Sequence, residues 1–230
     1  MPPLPPIVRN LMLACVAVYC AQILLPAWFE RLFALWPLHS GAFMPWQMVS
    51  YAFLHGNEVH LLFNMLGLWM FGSELARLWG PKRFLHFVLA GALTAAAAQM
   101  LVTFVLRSGA PTVGISGALF ALLLAYAMVF PKRQFDLVGF LPMALMLIPS
   151  TIFNIAGMVL FFVLLTNRSA VPIRPIPIPA AAMVAAFGLI ELSLGVFGRS
   201  GVAHFAHLGG MLGGFLMIRF WRGQSPFSRR

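Results

Sequence analysis

Six nearly unbroken apolar runs divide the chain: Asn10 to Phe29, His60 to Trp79, Phe84 to Leu106, Thr112 to Phe130, Ala180 to Phe197 and Val202 to Trp221. A helix needs about 20 apolar residues to cross a bilayer core of about 30 Å, so each run predicts a membrane-spanning helix. The first reads as a retained anchor rather than a cleavable signal. Its apolar core is long, it lacks a small-residue cleavage pattern, and Trp28, Phe29 and Phe33 follow directly.

A further apolar stretch, Leu137 to Leu165, lies between the fourth and fifth runs. A single crossing there would invert everything after it, and the distribution of basic residues decides against one. With a cytoplasmic N-terminus and six spans, the inner side receives Arg9, Arg77, Lys82, Arg83, Lys132, Arg133, Arg168, Arg174, Arg219, Arg222, Arg229 and Arg230, and the outer side only Arg31, Arg107 and Arg199. Seven spans would move the last Arg residues, from Arg168 on, to the other side. The stretch is too short for two full spans, and Pro149, Ser150, Thr151 and Asn154 interrupt it, so a re-entrant or interfacial hairpin is expected. Both chain termini are then cytoplasmic.

Composition agrees with this class. Of 230 residues, 61% are hydrophobic and 9% charged, and the mean hydropathy is +0.92, values that exclude an ordinary soluble domain. Six spans leave no room for a second folded domain, so residues 1–230 read as one all-α membrane domain. The net charge of +10 would suggest nucleic acid in a soluble protein. Here it reports membrane orientation, and no nucleic-acid partner is expected. Cys15 and Cys20 stand nearly opposite each other on one helix and cannot pair. The segment from Ala27 to Asn57, with Trp28, Phe29, Phe33, Trp36, Phe43 and Trp46, suits the outer headgroup layer, as an aromatic belt or as a functional lip. Pro172, Pro175, Pro177 and Pro179 predict a stiff extended lead into the fifth helix.

Polar side chains inside spans are costly unless paired, and each is therefore a functional candidate. They are His60 and Asn64 in the second run, Ser116 in the fourth, and His204 and His207 in the sixth. Even-numbered spans all start on the outer side, so the five share one depth, with His207 about 8 Å inside the outer end of its helix. His60 and Asn64, four apart, lie on one helical face. Ser116 is flanked by Gly114 and Gly117 at a loop-to-helix junction, where backbone freedom and unpaired N–H groups suit a nucleophile beside an oxyanion site. Such glycine-serine strings also serve plain helix packing. After His207 come Gly209, Gly210, Gly213 and Gly214, small residues that admit a close helix neighbour. For His204 and His55 the expected role is an interhelical hydrogen bond. Of the five acidic residues, Glu30, Glu58, Glu74, Asp136 and Glu191, none is expected at this depth on a facing helix. The chemistry inferred is therefore a dyad, with Ser116 as nucleophile and His207 as general base and acid. No HExxH pattern, metal-ligand cluster or pair of intramembrane aspartates is present in the sequence, so no metal and no cofactor are expected.

With these residues assembled, the chain resembles the rhomboid intramembrane serine proteases of the compact bacterial six-span kind. The resemblance rests on HxxxN at His60 to Asn64, GxSG at Gly114 to Gly117 and AHxxG at Ala206 to Gly210, with Gly214 continuing the glycine row. It runs from about Trp46 to Trp221. It implies a six-helix rhomboid bundle with an extra apolar hairpin at 137–165, and residence as a multi-pass protein of the bacterial inner membrane. It further implies that Ser116 is the nucleophile and His207 its base, and that His60, Asn64 and the Ser116 backbone form the oxyanion site. Phe120 would stack on the His207 ring. The implied partners are the lipid bilayer and single-span membrane protein substrates, cleaved near the outer face at small residues. The family's Trp-Arg pair is replaced by Trp46-Gln47, and an acidic residue expected at position 76 is Ala76, with Glu74 nearby. The alternative is a proteolytically inactive rhomboid-like protein that binds or chaperones transmembrane helices. Retention of both Ser116 and His207 argues against it. A transporter would carry inverted repeats or a charged pathway, and neither is seen.

Overall fold

The computed structural model describes residues 4–25, 27–146, 150–198 and 203–224. The predicted positions Pro149, Arg199, Val202, Arg229 and Arg230 fall outside them. The chain divides into two compact units, one formed by Met1–Val129 with Ala186–Arg230 and the other by Phe130–Ala185.

In the first unit, α1 runs over Pro6–Leu24. It starts and stops earlier than the apolar run at 10–29, because Pro6 occupies the first helical turn, where a missing N–H costs nothing, and Leu25 is extended. The segment that follows carries the short helices α2 (Trp28–Phe33) and α3 (Gln47–Ser50). It is built as a knot around the fully buried Gln47. The Gln47 side-chain oxygen accepts from the N–H groups of Trp36 and Met44, and its amide donates to the carbonyls of Arg31, Leu32 and Ala42. Gln47 therefore gives the loop its own internal cross-link.

The second helix begins at α4, Glu58–Gly67, capped by Asn57, whose side-chain oxygen accepts from His60 N–H at 2.8 Å. It continues through a π-helical turn at Leu68–Gly72 into α5, Ser73–Leu106. The break predicted between the second and third runs sits at Gly80, with φ 74° and ψ 166°, and Pro81 restarts the helix. Near that break Tyr126 donates to the Glu74 carboxylate at 2.9 Å. The fourth helix, α6, spans Ser116–Val129 and not the predicted 112–130. Thr112 instead pairs with Leu35 in a short bridge, and Gly114 has φ 116°, which no helix tolerates. The last helices of the chain are α9 (Ala180–Phe197), of which Ala186 onward belongs to this unit, and α10 (His204–Trp221).

The first unit packs α10 against α5 and α6 almost backbone to backbone. Two glycine pairs make this possible, on two different faces of α10. A Cβ placed on Gly210 would fall onto the Gly117 carbonyl, and one on Gly214 would stand 2.9 Å from the Ala121 carbonyl, both on α6. On the other face, a Cβ at Gly209 would come within 2.8 Å of the Thr94 carbonyl, and one at Gly213 would collide with the Thr94 hydroxyl, both on α5. The far end of α10 is closed by the rings of Trp79, Phe87 and Trp221, with centroids 4.9 to 5.7 Å apart.

In the second unit, β1 (Gln134–Asp136) pairs antiparallel with β2 (Pro177–Pro179). Arg168 bridges to Asp136 at 2.7 Å, and the other Asp136 oxygen accepts from Val138 and Ile176 N–H. Burial alone would raise the Asp136 pKa, but Arg168 and the two amides outweigh it and hold the carboxyl below its usual range. The stretch expected as a hairpin contains a 3₁₀ turn at Leu137–Phe140 and two helices, α7 (Leu141–Met146) and α8 (Thr151–Thr166), packed together at Gly157.

Three helical segments in the described residues are long and apolar enough to cross a membrane, Pro6–Leu24, Glu58–Leu106 and Ala180–Phe197. The second, of 49 residues, contains the Gly80 break. Ser116–Val129 and Thr151–Thr166 are apolar but shorter.

Candidate active site

Ser116 opens α6, so its N–H groups lie in the helical turn that has no internal acceptors. The close approach of α10 at Gly117 and Gly210 carries His207 to the same point. Ser116 Oγ and His207 Nε2 stand 2.8 Å apart. The ring of Phe120, one turn after Ser116, lies flat on the His207 imidazole, with centroids 4.4 Å apart and planes 8° from parallel. The other side of the imidazole edge is defined by α9, described below.

His60 and Asn64 sit one turn apart on α4 and converge on Gly114. A Cβ on that glycine would lie 2.6 Å from His60 Cε1, 2.8 Å from His60 Nε2 and 3.6 Å from the Asn64 amide nitrogen. Position 114 is therefore closed to any side chain twice over, by its φ of 116° and by this crowding. The loop holds Gly114 from outside as well, since its N–H donates to the Tyr51 carbonyl at 2.9 Å while the Tyr51 hydroxyl donates to the Ala92 carbonyl at 2.8 Å. Asn64 is 3% exposed, and among the described residues its amide nitrogen has no hydrogen-bond partner. A buried unpaired donor costs about 1–3 kcal/mol, and it points to an acceptor supplied from elsewhere.

His55 lies beside this site with a different role. Its backbone exchanges hydrogen bonds with the Gln22 side chain, and its Nδ1 lies 3.2 Å from the Phe53 carbonyl. Burial, and secondarily the neighbouring His60, push its pKa down to about 4. It is a neutral structural histidine at pH 7. A cavity of about 260 Å³ is lined by Tyr19, Gln22, Glu30, His55, Gly56 and Val113. It borders the site directly, because Gly56 N–H donates to His60 Nδ1 at 3.4 Å.

The sequence alone matches this site to a known group. The Rhomboid domain family matches residues 42–163, which hold the His60 to Asn64 and Gly114 to Gly117 motifs. The chain belongs to the rhomboid family. Among its relatives are proteins named Rhomboid protease GlpG from Yersinia pestis (strain Pestoides F) and Yersinia pseudotuberculosis serotype O:3 (strain YPIII). A third is the GlpG of Yersinia enterocolitica serotype O:8 / biotype 1B. Each is 26% identical over 219 residues, 94% of this chain. This rhomboid spans about 62% of the length of those relatives.

One sequence expectation is overturned. An acid does reach the depth of His207. Glu191 of α9 places one carboxylate oxygen 2.6 Å from His204 Nδ1 and 2.9 Å from His207 Nδ1. The signal was available: Glu191 lies six residues, about 9 Å, from the last residue of its helix, close to the depth of about 8 Å expected for His207 from the outer end of its own. His204 thus makes the interhelical contact expected of it. Glu191, His204 and His207 also form a set able to offer three metal-ligand atoms. The 2.6 and 2.9 Å separations are hydrogen-bond distances, whereas two ligand atoms on a tetrahedral zinc stand about 3.3 Å apart. The set is closed on itself and would have to open to admit an ion.

Proposed function

We propose that the chain is an intramembrane serine endopeptidase that cleaves single-span membrane proteins near the outer face of the bilayer. The observation that carries this reading is the 2.8 Å approach of Ser116 Oγ to His207 Nε2 on helices held together by glycine. His207 takes the hydroxyl proton as Ser116 Oγ attacks the scissile carbonyl carbon. The resulting oxyanion is received by the Asn64 amide, His60 Nε2 and the Ser116 N–H. Collapse breaks the C–N bond, and His207 gives its proton to the leaving amine. Water then attacks the acyl-serine with His207 as base, releasing the acid and restoring Ser116. The unpaired Asn64 donor supports the oxyanion assignment, since it is a buried hydrogen-bond donor awaiting an acceptor. The polar cavity beside His60 supports access of water. A fluorophosphonate probe tests the reading. Labelling is expected in the purified protein and is expected to vanish in Ser116→Ala; a wild-type protein that stays unlabelled would overturn it.

The membrane placement is part of the same proposal. The chain crosses the bacterial inner membrane six times with both termini in the cytoplasm, and residues 137–165 form an apolar hairpin that returns to the cytoplasmic side. The distribution of Lys and Arg supports it, as does the non-helical break at Gly80. A topology reporter fused after Arg174 is expected to read cytoplasmic. A periplasmic reading would remove the common depth of Ser116 and the substrate's outer end from the account.

A further inference from the structure

The proposed chemistry asks one histidine to accept a proton from serine in a low-dielectric site, and a histidine does this best when its other nitrogen is held and the charge it acquires is balanced. Phe120 fixes the plane of the His207 ring and Ser116 marks the direction of Nε2. On Nδ1 the nearest acceptor is Glu191 Oε2 at 2.9 Å. That approach is short but off the N–H axis, so by strict geometry Nδ1 is left without a hydrogen bond among the described residues. The same oxygen makes a well-formed 2.6 Å hydrogen bond with His204 Nδ1, and this contact is the better aligned of the two. Catalytic hydrogen bonds are commonly loose before substrate arrives and tighten as charge develops.

An acidic side chain in an apolar span is costly, which makes its position informative. Glu191 is 13% exposed, sits on a helix with no other charged residue, and is aimed at the two histidines of α10. If its purpose were only to join α9 to α10, His204 alone would satisfy it. Its second contact is to the one histidine that also meets Ser116.

We propose that Glu191 is a positioning residue for His207. It holds the tautomer that keeps Nε2 free to take the Ser116 proton, and its negative charge balances the imidazolium formed when the proton arrives. His204 Nδ1 meets the same oxygen and ties α10 to α9, a contact between helices and no part of the relay. Among the described residues, His60 of α4 also faces His207, and it contributes no negative charge. The inference rests on the serine-hydrolase reading above and turns the dyad expected from sequence into a Ser116–His207–Glu191 relay of contacts across α6, α10 and α9.

The test is the rate of fluorophosphonate labelling of the full chain in detergent, measured against probe concentration for wild type, Glu191→Gln, Glu191→Asp and His204→Gln, with thermal unfolding of each variant. Glu191→Gln keeps the shape and removes the charge. It is expected to lower the limiting labelling rate roughly 10- to 100-fold while the half-saturating probe concentration stays within about threefold. Glu191→Asp, which restores the charge, labels faster than Glu191→Gln, and His204→Gln, which keeps a donor, stays within about threefold of wild type. A wild-type rate in Glu191→Gln overturns the proposal. So does an equal loss in His204→Gln, which would make Glu191 a lock between helices. If wild type itself is not labelled, the serine-hydrolase reading falls first and the inference with it.

Discussion

Ser116→Ala and His207→Ala are each expected to reduce cleavage of a single-span substrate to background, a loss of at least about 10⁴-fold. In the proposed mechanism, removal of Ser116 takes away the atom that bonds to the substrate, and removal of His207 takes away the acceptor 2.8 Å from it. Because the two act as one unit, the double variant should be no slower than either single variant. Multiplying losses would mean that the two side chains work independently and would contradict the mechanism. Steady-state rates on purified protein, with the fold of each variant checked by thermal unfolding, decide between these results.

Asn64→Ala is expected to be milder and different in kind. Among the described residues its amide nitrogen has no partner, so its removal breaks none of their hydrogen bonds and should leave stability nearly unchanged. The loss falls on the transition state, where one oxyanion donor is worth about 10²- to 10³-fold in kcat, roughly 2.7–4 kcal/mol. KM should move little. Residual activity survives because His60 and the Ser116 backbone remain. An unchanged kcat in Asn64→Ala would place the oxyanion elsewhere, and a large loss of stability would make Asn64 a structural residue.

Much of this site could be read from sequence because the bilayer restricts the choices. Only five polar side chains lay at one depth in the even-numbered spans, and the structure gathers Ser116, His207, His60 and Asn64 within one small region. The glycine row marked the sixth span as one that admits a close neighbour, and Gly209, Gly210, Gly213 and Gly214 do bring α10 onto α5 and α6. Helix ends were less legible where tertiary pairing competes with apolarity. Thr112 is apolar enough in context to begin a helix, but its backbone pairs with Leu35, and the helix waits until Ser116. Glu191 escaped for another reason. It was not expected at this depth because the depth was counted from the starts of the even-numbered spans, whereas an odd-numbered span brings its C-terminal half, not its start, to the depth of His207. The buried Gln47 knot was likewise invisible, since a lone glutamine carries no pattern until the carbonyls of Arg31, Leu32 and Ala42 surround it.

The central claim is that Ser116, with His207, cuts a peptide bond of a membrane-spanning substrate near its outer end. Mass-spectrometric mapping of products from a single-span substrate, reconstituted with the protein in liposomes, tests it most directly. The account predicts one principal cut in the outer third of the substrate helix, present with wild type, absent with Ser116→Ala and unaffected by a metal chelator. A cut that persists in Ser116→Ala, one abolished by the chelator, or a substrate left whole by a protein that still takes the fluorophosphonate probe would contradict it.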